Sequence, residues 1–332
     1  MDKKITVGIN GFGRIGRNLF RLLLHHPSIE VLAVNDLADT YTLRHLLKYD
    51  SIHGVLNEEI SHSENEITIA GKKVKFSSEK NIEDISWGNI DVVVESTGKF
   101  KSRKQLENHL RNGAGKVILS VPPLDDDIKT VVLGVNDSII KPEDTIISNA
   151  SCTTNNAAPM LKIINELCGL EQAYITTIHS YTTDQSLHDQ PHRDLRRARA
   201  AGQSIVPTTT GAAKALTKIF PEFADAIGGC GIRVPVPDGS LTDITLNVKK
   251  EVTIEEINNA FKIASENSLK GILQYTEDPI VSIDIVGNTH SCIFDGGMTS
   301  VIGKMVKIIG WYDNEIGYSA RIIDLIDRIS VK

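Results

Sequence analysis

The sequence predicts an α/β protein of two domains: a doubly wound parallel sheet, then an α+β domain with a mainly antiparallel sheet. Three observations predict it. Short β-branched runs alternate with helix-period segments through the first half of the chain. A glycine-rich turn joins the first strand-like run to the first helix-like one. Past the midpoint, strand-like runs follow one another with few helices between them. A length of 332 residues suits two domains, expected at 1–151 and 152–314.

The first strand is ITVGIN (Ile5–Asn10). It runs into GFGRIG, where Gly11, Gly13 and Gly16 fit G-x-G-x-x-G. Ile15, Leu19, Leu22 and Leu23 then recur at helical spacing until Pro27, and EVLAVND closes a second strand on Asp36, 20 residues after Gly16. Strand, glycines, helix, strand and terminal acid make a Rossmann-type unit. In it the glycines let the backbone approach a pyrophosphate, the helix N-terminus supplies N–H donors, and Asp36 accepts from ribose hydroxyls. A carboxylate there repels a 2′-phosphate, so NAD is expected over NADP. TYTLRHLLKYD reads as a helix and EITIAGKKVKF as an inserted hairpin. DVVVESTG, KVILS, TVVLGV and TIIS read as further strands, with Ser96, Thr97, Gly98 and Ser120 at the ends where ligands sit in such sheets.

Composition narrows the function. A net charge of −6 argues against nucleic acid or an anionic membrane as the main partner. No apolar run approaches a membrane span, and MDKKITVGIN does not read as a signal peptide. Cys152, Cys168, Cys230 and Cys292 form no close pair and no metal-like spacing, so free thiols in a reducing cytoplasm, and no metal, are expected.

Cys152 keeps unusual company, in SNASCTTNNAAP. TIIS delivers it to the sheet edge, and Met160, Leu161, Ile164 and Leu167 recur at helical spacing up to Gly169. Ser151 is a good N-cap, which puts Cys152 in the first turn, where the helix dipole is expected to lower a thiol pKa. A nucleophile needs a base partner. The helix runs about 25 Å away from Cys152 and the strand-like AYITTIHS runs about 20 Å, so these lengths permit His179 to meet Cys152 if the strand returns antiparallel to the helix. In the second half GIRVPVP, LTDITLNVKK, PIVSIDIVG and MVKIIGWYDN read as strands. TIEEINNAFKIASEN reads as a helix with Ile257, Phe261 and Ile263–Ala264 on one side, and a last helix is expected over Tyr318–Ile329.

INGFGRIGR, SNASCTT, HSYTTDQ, PHRDLRRARAA, PTTTGAAKA, RVPVP and WYDNEIGYS occur in the order and spacing of phosphorylating glyceraldehyde-3-phosphate dehydrogenases. The chain resembles that family over essentially its whole length. The resemblance implies that Cys152 attacks the aldehyde of glyceraldehyde 3-phosphate, with His179 as acid and base. NAD takes the hydride, and inorganic phosphate opens the resulting thioester. It implies Thr182 and Arg233 at the substrate phosphate, and Ser151, Thr153, Arg197, Thr210 and Gly211 at the attacking phosphate. It adds Arg14 and Ile15 at the pyrophosphate, Ser120, Lys80 where an arginine is common near the adenine, and Asn314 at the nicotinamide carboxamide. It also implies a homotetramer and a last helix, residues 315–332, that completes the first domain. Asn156 replaces a frequent second cysteine, Gln190 a frequent leucine, and Asp238 a common asparagine. Two other readings stand beside it. One is a sister enzyme using erythrose 4-phosphate or preferring NADP; the other is a non-catalytic NAD-binding thiol sensor.

Overall fold

The structure, a computed structural model, describes residues 4–330. The expected domain ends at 1–3 and 331–332 lie outside the described residues. Two compact units are present. Of the described residues, the first contains 4–131, 138–150 and 319–330; the second contains 132–137 and 151–318. Residues 132–137, read from sequence as part of the first domain, belong with the second unit.

Among the described residues, nine strands form the main sheet of the first unit: β1 (Ile5–Asn10), β2 (Ile29–Asn35), β3 (Ile60–Ser63), β4 (Glu66–Ile69), β5 (Lys72–Ser77), β6 (Ile90–Glu95), β7 (Ala114–Leu119), β8 (Lys129–Thr130) and β9 (Ile146–Ser148). Their order is β8-β9-β7-β6-β1-β2-β5-β4-β3. Every pair from β8 to β5 is parallel, and β5-β4-β3 is an antiparallel meander. The order reverses between β1 and β6, the place where open sheets of this kind bind ligands. Helices α1 (Arg14–Leu23), α2 (Thr40–Lys48) and α3 (Arg103–Arg111) cross between strands. The hairpin at Gly71 is present, its turn made by Ala70 and Gly71 at positive φ.

TVVLGV contributes only Thr130 to a strand. Beyond it Val132 O accepts from the N–H groups of Val135 and Asn136, and Asn136 Oδ1 accepts from Val132 N, so the backbone closes a local turn instead of a ladder.

The second unit is built on helix α4 (Cys152–Cys168) and a sheet of β10 (Leu170–Ser180), β11 (Val206–Thr208), β12 (Ile227–Val234), β13 (Ser240–Val248), β14 (Leu273–Thr276), β15 (Cys292–Asp295), β16 (Ser300–Ile302) and β17 (Met305–Tyr312). The order is β11-β12-β10-β13-β17-β15-β14, with β16 beside β17. Only β10–β12 and β14–β15 are parallel. The buried face of α4 lies close on β17: a Cβ at Gly310 would sit 2.8 Å from Met160 Sδ. Helices α5 (Ala212–Ile219) and α6 (Ile254–Glu266) follow, the latter opened by a Thr253–Glu256 capping box.

PIVSIDIVG is not a strand. Ser282–Ile285 is a short 3₁₀ turn, closed where Asp284 Oδ2 accepts from Val281 N, and Val281 and Ile283 point to solvent. On α6, Ile257, Phe261 and Ala264 are buried but Ile263 is exposed, because two residues past Phe261 is about 200° around a helix. The last helix, α7 (Ile316–Ser330), buries Ile322, Ile323, Leu325, Ile326 and Ile329. From Ser319 it belongs to the first unit, where Ile329 O accepts from Lys116 Nζ. Among the described residues no helix is long and apolar enough to cross a membrane.

Candidate active site

In the first unit, the turn after β1 is shaped by its glycines. Gly11 has φ +93°, and a Cβ there would strike Thr97 N at 2.8 Å. At Gly16 a Cβ would meet Gly11 O at 2.2 Å, so this glycine lets α1 press onto the turn. Gly13 faces open space and is the N-cap of α1, with no side-chain cap. Asp36 Oδ2 accepts from Phe12 N at 2.7 Å and Oδ1 from Ala38 N at 3.0 Å, which ties the acid to the turn and leaves lone pairs on both oxygens. These features fit a dinucleotide: room over Gly13, a helix N-terminus, and an acid at the end of β2. The Arg14 side chain turns to Asp50 at 2.5 Å. Burial of Asp50 is outweighed by the hydrogen bonds from Arg14 and from the His53 and Ile52 backbone, which hold its carboxyl well below the usual range. Ile15 is half-buried on α1, Ser120 is buried beyond β7 with its N–H on Glu95 O, and Lys80 is exposed beyond β5.

A buried polar rail runs under this edge. Asn35 Oδ1 accepts from Ser77 Oγ, Asn35 Nδ2 donates to Asn10 Oδ1, and Asn10 Nδ2 donates to Glu95 Oε2. His109 Nδ1 accepts from Trp87 Nε1, so its Nε2–H donates to Glu95 at 3.0 Å. Sequence reasoning missed these residues, although the signal was present: β1, β2 and β6 each end on a buried polar side chain.

In the second unit, α4 begins as the sequence predicts. Ser151 caps it, its Oγ accepting from Thr154 N at 3.2 Å, directly after Ala150, held at φ +56°. That left-handed conformation is strained for alanine. Cys152 Sγ lies 3.4 Å from His179 Nε2. His179 sits at the end of β10, in register with Arg233 on the parallel β12. Arg233 Nη1 lies 2.6 Å from His179 Nδ1 and donates to Ser180 O at 2.8 Å, and Ser180 O lies 2.8 Å from the same Nδ1. Burial, then the Arg233 charge, lower the His179 pKa to about 3, so the ring is neutral at ordinary pH. The expected lowering of the Cys152 pKa is not met. Burial pushes the thiol up, and this outweighs the Arg233 charge and the hydrogen bonds at Thr153 that pull it down.

Beneath the pair, Tyr312 OH lies 2.9 Å from both Thr153 Oγ1 and Thr177 Oγ1, strapping the first turn of α4 to the sheet. Asn156 Nδ2 donates to Trp311 O in the same seam. Sequence analysis assigns no role to Tyr312 or Thr177, because Tyr312 lies 159 residues from Thr153 and 135 from Thr177 in the chain. Thr153 thus bonds inward. Arg197 is also engaged: it pairs with Asp184, and Nε donates to Thr208 Oγ1 at 2.9 Å. Its charge still reaches His179 and Arg233. Thr182 is half-buried just after β10; Thr210 Oγ1 accepts from Ala212 N, and Gly211 precedes α5 with open space at its Cβ. Asn314 is buried, and its Oδ1 accepts from Ser180 Oγ at 2.8 Å and Ser240 Oγ at 2.7 Å.

Two family models match. Residues 5–103 match the glyceraldehyde 3-phosphate dehydrogenase NAD-binding domain, and residues 151–314 its C-terminal domain. Among curated proteins, the chain is similar to glyceraldehyde-3-phosphate dehydrogenase 2 of Streptomyces avermitilis, 55% identical over 97% of each chain. It is 52% identical to glyceraldehyde-3-phosphate dehydrogenase of Geobacillus stearothermophilus and 50% identical to glyceraldehyde-3-phosphate dehydrogenase 1 of Bacillus subtilis, each over 99% of both chains.

Proposed function

The chain belongs to the glyceraldehyde-3-phosphate dehydrogenase family, and from that premise we propose that it oxidises glyceraldehyde 3-phosphate with inorganic phosphate to 1,3-bisphosphoglycerate, using NAD as cofactor. One observation carries the reading: the Cys152 thiol stands 3.4 Å from a neutral imidazole whose other nitrogen faces a guanidinium. NAD, when bound, supplies the hydride acceptor. In the first unit Gly11, Gly13, Gly16 and the first turn at Arg14 and Ile15 would hold its pyrophosphate, Asp36 its adenosine ribose, with Ser120 and Lys80 as further contacts; in the second unit Asn314 would be the residue for the nicotinamide carboxamide.

His179 Nδ1 cannot both accept from Arg233 and donate to Ser180 O. The substrate's phosphate, held by Thr182 and Arg233, draws the guanidinium off Nδ1. The ring then carries its proton on Nδ1, bonded to Ser180 O, and presents a lone pair at Nε2 to the thiol. Cys152 Sγ bonds to the aldehyde carbon as its proton passes to Nε2. The Nε2–H first donates to the developing oxyanion and then passes its proton to it, which leaves a neutral ring and a hemithioacetal hydroxyl; Nε2 takes that proton back during oxidation. Inorganic phosphate, at Ser151, Thr153, Arg197, Thr210 and Gly211, attacks the thioester carbon, and the C–S bond breaks with Cys152 leaving as thiolate. The polypeptide works as a homotetramer in the cytoplasm, in the glycolytic direction or its reverse.

The test is NADH formation with glyceraldehyde 3-phosphate. Turnover is expected to need phosphate, and to be lost in Cys152→Ser while NAD still binds. A serine variant with near-normal turnover rejects the mechanism. Higher kcat/KM with erythrose 4-phosphate or NADP assigns the chain to a sister activity instead.

A further inference from the structure

The Asn314 amide has a carbonyl oxygen and an NH₂ group, and which end faces outward decides what it can recognise. Here Oδ1 is enclosed. Ser180 Oγ donates to it at 2.8 Å and Ser240 Oγ at 2.7 Å, and an amide oxygen has two lone pairs. Ser240 Oγ uses one lone pair to accept from Ser180 N at 3.1 Å, and its single proton has Asn314 Oδ1 within reach at 2.7 Å. All three side chains are buried. Turning the amide over would point Nδ2 at two hydroxyls and leave both hydroxyl protons without these acceptors, a cost no buried group escapes.

Ser180 has a second office. Its carbonyl accepts from Arg233 Nη1, and its N–H and Oγ serve Ser240 and Asn314. The residue after the reacting histidine thus links the anion-binding arginine to the amide.

We propose that Ser180 and Ser240 are positioning residues that hold Asn314 in one flip state, so that it offers only an N–H donor and selects a ligand carrying a carboxamide oxygen. This rests on the reading of Asn314 as the nicotinamide contact. The selectivity is built before any ligand arrives, by two buried hydroxyls 60 residues apart in the chain.

The experiment compares binding of NAD with ADP-ribose, which lacks the nicotinamide, in the full-length protein. The wild type is expected to bind NAD at least about tenfold more tightly, and Asn314→Ala to erase that difference. Ser240→Ala and the double variant Ser180→Ala/Ser240→Ala are expected to cut the preference at least about threefold while ADP-ribose affinity stays unchanged. If Asn314→Ala erases the preference and both serine variants keep it, the proposal is overturned and the reading of Asn314 stands. If the wild type shows no preference, both fall. The free wild-type protein gives a measurement that needs no folded serine variant. The Asn314 Nδ2 protons, assigned by their loss in Asn314→Ala, are expected as one sharp pair of NMR resonances. A doubled or exchange-broadened pair shows a flipping amide and overturns the proposal.

Discussion

At the scale of residues, the second unit concentrates its consequences in a few buried polar atoms. Tyr312 OH serves two threonines at once, so Tyr312→Phe leaves both hydroxyls without that partner. A loss of about 1–3 kcal/mol in unfolding free energy is expected by denaturant titration, with NAD binding kept. Asp238 gives a pH-dependent case. Burial, with Asp313 and Glu315 close by, raises its pKa to about 9, against about 3.9 in an unfolded chain. The folded state therefore holds a proton that the unfolded state releases above pH 4. The resulting cost is absent below pH 4 and grows as pH rises toward 9. Asp238→Asn removes the titration and keeps a donor toward Asp313. Its melting temperature is expected to exceed that of the wild type by at least roughly 2–4 °C at pH 8, the equivalent of about 1 kcal/mol, and by almost nothing at pH 4. An equal gain at both pH values would refute the assignment.

At the scale of elements, β1, its glycine turn and α1 form the most sequence-legible part of the molecule. Their separate roles predict separate failures. Gly13→Ala meets open space, so thermal stability is expected to hold while the affinity for NAD falls about tenfold or more. Gly16→Ala drives a Cβ into Gly11 O, so the melting temperature itself is expected to drop, by several degrees in a differential scan. The reverse pattern would remove the dinucleotide reading of the turn. Elements misread from sequence failed for a local reason. PIVSIDIVG and TVVLGV have strand composition, but Asp284 and Asn136 bond their own neighbouring backbone, and such local closure competes with a ladder that composition alone cannot rank.

At the scale of the whole molecule, the polar segment after β10 leaves Leu187, Leu195 and Ile205 each at least 69% exposed, large apolar groups that a subunit contact would cover. Sedimentation at micromolar concentration is expected to give a four-chain mass, and Leu195→Glu to shift it toward smaller species; a wild-type monomer contradicts the proposed assembly. The family, the α/β class, the glycine turn, Asp36 and the place of Cys152 at a helix start were determined by the sequence alone. Each is a short-range pattern, set by steric freedom at glycine, helical period and capping within a few residues. Only the tertiary structure decided that Arg233 reaches the far nitrogen of His179 from 54 residues away, and that Ser180 and Ser240 enclose the Asn314 oxygen. It also reversed the expected thiol shift. These depend on strand register and on desolvation summed over the surrounding fold, and neither quantity is carried by any local run of residues.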